Sequence, residues 1–271
     1  MSAGKPVRVR APARIDFAGG WSDVPDFSGA KGGAVLNAAI DRYAEGHAAW
    51  GDDGLDLRLR LDLPPDSHLG TSSASNLAYL ELVAGLTDRN WTPVELAEKA
   101  YRLETLAGNK GGKQDQYTAA LGGLNLLRFR GADEPAEVEP VRLAPARAAA
   151  LEGRLLLCDA GASPDSGERH RAVWKRYAEG DAGVRDRLRA LRDTAEPARD
   201  ALVAGDWRVL GELMIQNREL ARGLGGGSVT AHMDALFAAA ERALAAEDAR
   251  IRPFRFAPRR DGSAVDGESR T

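Results

Sequence analysis

The chain has 271 residues, of which 44% are hydrophobic and 28% charged, and its formal net charge is −3. This balance excludes a strongly basic nucleic-acid-binding surface over the whole molecule, and no apolar run approaches the length of a membrane-spanning helix. We therefore expect a cytoplasmic protein with no nucleic-acid partner and no membrane association. The single cysteine, Cys158, lies in an apolar run and is expected to be a buried structural thiol.

The first half of the chain is predicted to contain most of the strands. Apolar alternation predicts strands at residues 7–18, 34–44 and 55–63, the last with leucines on one half-buried face. A glycine-serine segment at residues 69–75 leads into a helix that ends near Leu86. Thr92-Pro93-Val94-Glu95 has the spacing of a capping box, which predicts a helix to about Leu106. A shorter helix is expected from Gln114, followed by strands at residues 124–129 and 138–143.

The second half is predicted to be largely helical. A buried strand is expected at residues 155–159, before helices at about residues 168–178, 184–203, 207–224 and 230–246. Strands early and helices late indicate the α+β class. We expect an N-terminal domain at residues 1–150 and a C-terminal domain at residues 151–249. Residues 250–271 are expected to be a largely disordered tail, with a short strand or ordered extension at residues 250–256.

Residues 69–75 form the first segment with a chemical signal. A glycine followed by small hydroxyl residues at a helix start suits a phosphate, because unpaired backbone N–H groups and the helix dipole favour anions there. The serine hydroxyls are also suitable ligands for magnesium. A plain N-cap, in which Ser or Thr satisfies the first amides, is the alternative, and short motifs of this kind recur by chance.

Carboxylates near residue 113 provide the second signal. An aspartate close to a lysine, as in Lys113-Gln114-Asp115, can accept a proton from an attacking hydroxyl. Its alternative is a polar helix start with an exposed acid. Glu104, at the end of the preceding predicted helix, can complete a magnesium site with a serine hydroxyl and nucleotide phosphates, or can be a solvated charge on a helix face.

The end of the first predicted strand provides the third signal. Arg14 and Asp16 lie on its polar face, and the glycine-rich turn Gly19-Gly20-Trp21-Ser22-Asp23 follows. An aspartate in such a turn can bind two neighbouring sugar hydroxyls, although aspartate is also a common turn former and charges on a strand face are usually exposed.

The order of these segments resembles the GHMP kinases. The resemblance lies in four segments, residues 14–23, 33–40, 69–74 and 112–117, and it extends over residues 7–246. Among the GHMP kinases, the chain is most similar to the D-glycero-D-manno-heptose 7-phosphate kinases. The Gly-Gly-Trp-Ser-Asp turn is also similar to fucokinases, and residues 159–163 and 166–170 look like the sugar-site segment of the heptose branch. The resemblance implies a ribosomal-S5-like N-terminal domain beside a ferredoxin-like C-terminal domain, with an atypical or truncated C-terminal end.

The resemblance also implies an activity, an ATP-dependent transfer of phosphate to the anomeric hydroxyl of a sugar or sugar phosphate, with Mg2+ as cofactor. Asp115 is the implied base, Arg14 is close enough to hold it ionised, and Lys113 stabilises charge near the transferred phosphoryl group. The implied magnesium ligands are Glu104 and Ser73, or its neighbour Ser72. The implied ATP phosphate loop comprises Gly70, Thr71, Ser72, Ser73, Ala74 and Ser75. The implied sugar contacts are Gly20, Asp23, Ser163, Ser166 and His170 or Arg171.

Three departures from the family pattern affect these expectations. His68 stands where glycine usually precedes the phosphate loop. Pro164, followed by Asp165, replaces an arginine that similar enzymes often carry, which weakens the case for a phosphorylated sugar. No Gly-x-Gly-Gly-type third motif follows Ala246. Two alternatives therefore stay open: a kinase of a free sugar such as L-fucose, and a catalytically weak relative that binds nucleotide or sugar. A homodimer is the default expectation for the assembly.

Overall fold

The structure, a computed structural model, describes residues 5–64, 67–109, 111–157, 166–225 and 231–245. Its strands are β1 Val7–Ala18, β2 Gly33–Gly51, β3 Gly54–Leu61, β4 Leu124–Phe129 and β5 Glu137–Pro140. Its helices are α1 Pro25–Lys31, α2 Thr71–Leu86, α3 Pro93–Leu106, α4 Gln114–Leu121, α5 Pro145–Glu152, α6 Ser166–Ala178, α7 Ala182–Asp193, α8 Ala195–Ala204, α9 Trp207–Leu224 and α10 Ala231–Ala245. The predicted α+β class is confirmed, and every described element after β5 is a helix.

The five strands form one sheet in the order β1-β2-β4-β5, with β3 paired to β2 outside this path. β2 and β3 are antiparallel from Ala44 opposite Leu61 to Gly51 opposite Gly54. The strand prediction for β3 is confirmed, but its half-buried leucine face is wrong at the outer end, where Leu55 and Leu57 are 41% and 40% exposed. This end of β3 pairs with the C-terminal end of β2, and few other residues cover the two leucines there.

Local signals in the sequence predicted several elements correctly. The capping box of α3 forms as expected, with Thr92 Oγ1 accepting from Glu95 N at 3.3 Å and Glu95 Oε2 accepting from Thr92 N at 2.8 Å. Proline at the first position needs no N–H partner there, so the helix begins at Pro93. The predicted bounds of β1, β4 and α9 are also those of the structure.

Other predictions need correction. The single helix expected at residues 184–203 is two helices, α7 and α8, separated at Thr194, whose Oγ1 donates to the Leu191 carbonyl at 2.6 Å. Pro197 lacks the N–H that a continuous helix would use, which favours the break. Residues 155–157 are not in a strand, while residues 158–159, including Cys158, lie outside the described residues. Helices α1 and α5, each beginning at a proline, were not predicted.

The predicted tail at residues 250–271, with its short strand, also lies outside the described residues. None of the helices in the described ranges is both long and apolar enough to cross a membrane.

The chain divides into two compact units, which are not continuous in sequence. The first unit contains residues up to Ile15 together with Asn37–Leu124, and its helices α2, α3 and α4 pack on one another around the buried Leu77, Leu82 and Tyr117. The second unit contains Asp16–Leu36 and residues from Asn125 onward. Its core is a cluster formed by Val24, Phe27, Val173, Trp174, Val184, Leu188, Leu191 and Leu224. The predicted domain boundary near residue 150 stays a prediction.

Candidate active site

An ion pair between Arg14 and Asp115 lies in the first unit. Arg14 Nε donates to Asp115 Oδ1 at 2.7 Å, and the two side chains are only 16% and 26% exposed. Asp115 lies in the first turn of α4, and Arg14 lies on β1. The sequence placed both residues in separate motifs, and the fold brings them into a charge-assisted hydrogen bond that sets the direction of the carboxylate.

Arg14 also holds the segment that precedes α2. Its backbone N–H donates to the Leu69 carbonyl at 2.9 Å, and its Nη1 donates to the His68 carbonyl at 3.3 Å. The next residue, Gly70, has φ 72° and ψ 22° and is the N-cap of α2, with no side chain that accepts from the first amides. The structure therefore does not contain the alternative, a plain N-cap in which a Ser or Thr hydroxyl caps this helix.

Glycine is needed at position 70 for two reasons. Its positive φ lies in the left-handed region, which residues with a Cβ atom rarely adopt. A Cβ atom here would also lie 3.1 Å from Arg14 Cγ and 3.5 Å from Asp115 Cγ. A side chain at position 70 would therefore meet the Arg14–Asp115 pair, at the positive end of a 16-residue helix.

Ser73 and Glu104, the two expected magnesium ligands, are hydrogen-bonded neighbours. Ser73 Oγ donates to Glu104 Oε1 at 2.7 Å, and the residues are 2% and 6% exposed. Asn76 donates to the same oxygen at 3.2 Å, and Asn109 Nδ2 donates to Oε2 at 2.9 Å. Ser72, the alternative ligand, is exposed to solvent. The fold therefore selects Ser73 rather than Ser72 as the partner of Glu104.

The donor set at Ser73 and Glu104 suits magnesium bound together with nucleotide phosphates. It consists of one hydroxyl and one carboxylate, both hard oxygen donors, and Mg2+ typically takes one or two protein oxygens, with phosphates and water filling its remaining positions. Within the described ranges, no group of three or more His, Cys, Asp or Glu side chains is arranged for a metal ion. The pair therefore fits a metal that arrives with its nucleotide better than a metal held by protein alone.

Lys113 is buried in a network of its own. Its side chain is fully buried, with Nζ 3.0 Å from both carboxylate oxygens of Glu98 and 5.1 Å from the centre of the Tyr101 ring. Tyr117 donates its hydroxyl to Glu98 Oε1 at 2.6 Å. Lys113 is the N-cap residue of α4, so this network anchors the helix that carries Asp115.

The glycine-rich turn of the second unit is held by Ser22. Its hydroxyl donates to the Gly19 carbonyl at 2.7 Å and accepts from Ala34 N at 3.1 Å, entirely out of contact with solvent. Gly19 has φ 87°, and a Cβ atom there would lie 2.0 Å from the Ala34 carbonyl oxygen, so no other residue fits. Asp23 is 3% exposed, and its carbonyl accepts from Ser28 Oγ at 3.3 Å.

Aromatic side chains surround this turn. The Trp21 ring stacks on His170 of α6, with centroids 4.6 Å apart and planes 20° apart, and Trp174 lies 6.4 Å from Trp21. Trp21 has φ 76°, which is unusual for a bulky residue and indicates local backbone strain in the turn. His170 is therefore brought beside the turn that contains Gly20 and Asp23. Ser163 lies outside the described residues; Ser166 begins α6, but its side chain is not among those described.

Asn217 of α9 is a residue that the sequence analysis missed. Its Oδ1 accepts from Gly19 N at 2.9 Å, and its Nδ2 donates to Thr194 Oγ1 at 2.6 Å and to the Leu213 carbonyl at 3.1 Å. It therefore fastens the glycine-rich turn to α9 and to the junction of α7 and α8. Asn217 belongs to no motif, and only its polar character on an amphipathic helix distinguished it. Trp21 lies in the glycine-rich turn that the sequence analysis identified, but no functional role was predicted for it.

Comparison with known protein families identifies the N-terminal part of the chain. Residues 34–123 match the family described as the GHMP kinases N terminal domain. The bifunctional fucokinase/GDP-fucose pyrophosphorylase of Arabidopsis thaliana is 25% identical over 76% of this chain and 25% of its own length. The D-glycero-alpha-D-manno-heptose 7-phosphate kinase of Campylobacter jejuni is 25% identical over 78% of this chain and 75% of its own length. The chain thus spans a quarter of the first relative and three quarters of the second.

Solved structures agree on the fold. A D-glycero-D-manno-heptose 1-phosphate kinase from Bacteroides thetaiotaomicron superimposes with a TM-score of 0.66 at 24% identity, over 94% of this chain and 97% of that one. Mevalonate kinase of L. major superimposes with a TM-score of 0.60 at 17% identity, over 83% and 77% of the two chains. The chain therefore resembles the GHMP kinases in sequence, with a match to their N-terminal domain at residues 34–123, and shares their fold.

Proposed function

We propose that the chain is an ATP- and magnesium-dependent sugar kinase that phosphorylates an anomeric hydroxyl, with D-glycero-D-manno-heptose 7-phosphate as its substrate. The observation that carries this proposal is the Arg14–Asp115 pair, 2.7 Å long, which lies beside Gly70 at the start of α2. A directed carboxylate beside a phosphate-binding helix start has the parts that phosphoryl transfer to a hydroxyl requires.

In this mechanism Asp115 is the general base. Its Oδ1 is occupied by Arg14 Nε, which leaves Oδ2 to accept the proton of the attacking hydroxyl. The sugar oxygen forms a bond to the γ-phosphorus as the bond from that phosphorus to the bridging oxygen breaks, and ADP leaves with the bonding electron pair. Arg14 orients the carboxylate through this step and remains protonated.

Residues of the first turn of α2 are proposed to hold the ATP phosphates. Gly70 lets the phosphates approach the backbone, and the amides of Thr71, Ser72 and Ser73 point along a helix dipole equivalent to about half a charge. Ser73 Oγ and Glu104 Oε1 would hold Mg2+, which supplies neutralisation of the phosphate charge when bound. A role for Lys113 at the transferred phosphoryl group stays a prediction, and its burial against Glu98 argues instead that it supports α4.

The sugar is assigned to the second unit. The glycine-rich turn, with Gly20 partly exposed and His170 stacked on Trp21, offers backbone groups and an aromatic surface to a sugar ring, while Asp23 is 3% exposed and its contact with the sugar stays a prediction. Similarity to the Campylobacter heptose 7-phosphate kinase supports this substrate. A free-sugar kinase of the fucokinase kind is the second candidate, because the Arabidopsis relative is as similar in identity. The missing third motif after Ala246 supports the third candidate, a weakly active binding relative.

ADP release is the test of this proposal. Purified protein is incubated with ATP, Mg2+ and, in parallel, heptose 7-phosphate, the dephosphorylated heptose, L-fucose and D-galactose. Turnover on the heptose phosphate alone supports the proposal, and turnover on L-fucose alone replaces the substrate but keeps the reaction. ATP binding without turnover on any sugar overturns the kinase assignment and favours the binding relative.

A further inference from the structure

A shallow cavity of about 220 Å3, largely open to solvent, lies within the second unit beside the glycine-rich turn. Gly20 and Trp21 line it from the turn, while Leu191, Met214 and Ala221 supply apolar wall from the helices. Two charged side chains complete the lining, Asp16 from β1 and Arg218 from α9. A concave, mostly apolar site with a few charged groups is the usual form of a small-molecule pocket.

The wall that carries Arg218 is fixed to the turn. Asn217, the preceding residue, accepts from Gly19 N at 2.9 Å and donates to Thr194 Oγ1 at 2.6 Å. These bonds tie α9 to the glycine-rich turn and to the α7–α8 junction. A site whose walls are joined in this way is preorganised, so that a ligand need not order them on binding.

Arg218 makes few direct contacts with protein groups, although the Asp234 carboxylate lies near enough to interact with its charge. In the part of the chain that the structure describes, its one hydrogen bond is from Nε to the neighbouring Glu219 at 3.3 Å, and its guanidinium lies 4.8 Å from the centre of the Phe237 ring. Arg222, one turn later, contrasts with it, because its Nη1 and Nη2 donate to both carboxylate oxygens of Asp234 at 2.8 and 2.7 Å. The terminal Nη groups of Arg218 are thus left for a ligand, while its side chain is only 31% exposed.

We propose that Arg218 binds a phosphate group carried by the sugar substrate in this cavity. The planar guanidinium presents paired N–H donors that match phosphate oxygens, and the Phe237 ring lies 4.8 Å from its central carbon. Asp16 repels a phosphate, so the phosphate lies at the Arg218 wall and the sugar hydroxyls lie towards Asp16. This inference rests on the proposed kinase function and names the residue that selects a phosphorylated sugar.

Arg218 can take the place of an arginine that similar enzymes carry in the expected sugar segment. In this chain Pro164 stands at that position, so the segment has one cation fewer. Arg218 supplies a positive charge from α9, a helix in which the sequence analysis identified no functional motif. The loss at position 164 therefore does not exclude a phosphorylated substrate.

The test compares Arg218→Gln with Arg208→Gln. Arg208 lies on the same helix and pairs with Glu212, but it does not line the cavity. KM and kcat are measured for heptose 7-phosphate, for the dephosphorylated heptose and for ATP. Arg218→Gln is expected to raise KM for heptose 7-phosphate by about 10-fold or more, as loss of a hydrogen bond to a charged group implies, with KM for ATP unchanged. Arg218→Lys should fall between, since it keeps the charge and loses the paired donors.

Calorimetric titration with heptose 7-phosphate in the absence of ATP keeps the two proposals separate. Weaker binding by Arg218→Gln supports the role of Arg218 even where turnover is absent and the kinase proposal has failed. Equal binding by wild type and Arg218→Gln overturns the role of Arg218, whatever the activity. A wild type that binds no sugar phosphate, or that turns over only the dephosphorylated sugar, also overturns it. Unchanged circular dichroism and Tm in both variants show that the fold is intact.

Discussion

Gly70→Ala is expected to damage both stability and turnover. Alanine at φ 72° costs about 1–2 kcal/mol, because its Cβ crowds the following carbonyl oxygen in the left-handed region. For a chain of this size, that free energy corresponds to a fall in Tm of roughly 2–8 °C. The new Cβ also lies 3.1 Å from Arg14 Cγ, which is tighter than ordinary contact, so Arg14 or the helix start must move by a few tenths of an ångström.

The movement of Arg14 is expected to displace the Asp115 carboxylate and so to lower the rate of phosphoryl transfer. Arg14 directs Asp115 through a 2.7 Å bond, and small misplacements of a catalytic group cost up to about 100-fold in rate. We therefore expect kcat to fall by roughly 10- to 100-fold and KM for ATP to rise. Steady-state ADP release gives the kinetic constants, and thermal unfolding followed by circular dichroism gives Tm.

Gly180→Ala is the matched control for backbone strain. Gly180 has φ 89°, but a Cβ atom there would meet nothing closer than Arg185 Nη2 at 3.7 Å. This variant should therefore lose a similar amount of stability and keep its turnover. If Gly70→Ala lowers kcat no more than Gly180→Ala does, crowding of Arg14 and Asp115 at position 70 has no part in catalysis, and the reasoning is refuted.

Three further predictions concern charged groups of the first unit. Asp115→Asn should keep affinity for ATP and lose most turnover, at least about 100-fold as expected for a general base, and unchanged kcat would refute the assignment. Glu104→Gln should raise the Mg2+ concentration needed for half-maximal rate, while Glu98→Gln, which leaves Lys113 buried without its carboxylate, should lower Tm and leave the metal requirement unaltered. Hydrogen bonds from Thr92, first its backbone N–H and then its hydroxyl, lower the pKa of Glu95 below its ordinary value. Because the folded-state pKa is depressed, the stabilisation is present above the ordinary glutamate pKa and lost as the pH falls through the folded-state pKa. The Tm difference between wild type and Glu95→Gln should therefore shrink in acid, and a difference independent of pH would contradict this.

Local chemistry determined the elements that the sequence predicted well. The capping box and Pro93 act within one turn of helix, so the local sequence is enough to predict the helix at residues 92–106. The alternation along β1 and the apolar spacing of α9 are likewise local, and the structure has both elements at their predicted bounds. The ordered motifs also indicated a resemblance to the GHMP kinases, and residues 34–123 match the N-terminal domain of that family.

Tertiary structure decided which of the candidate residues meet. Arg14 and Asp115 are 101 residues apart, Ser73 and Glu104 are 31 apart, and Gly19 and Asn217 are 198 apart. No local pattern encodes such a pair, because the hydrogen bond forms only after the packing of other elements has set the distance between the two backbones. Burial is decided in the same way: the family resemblance implied a place for Lys113 near the transferred phosphoryl group, and only the packing of α3 against α4 shows that its side chain is buried beside Glu98.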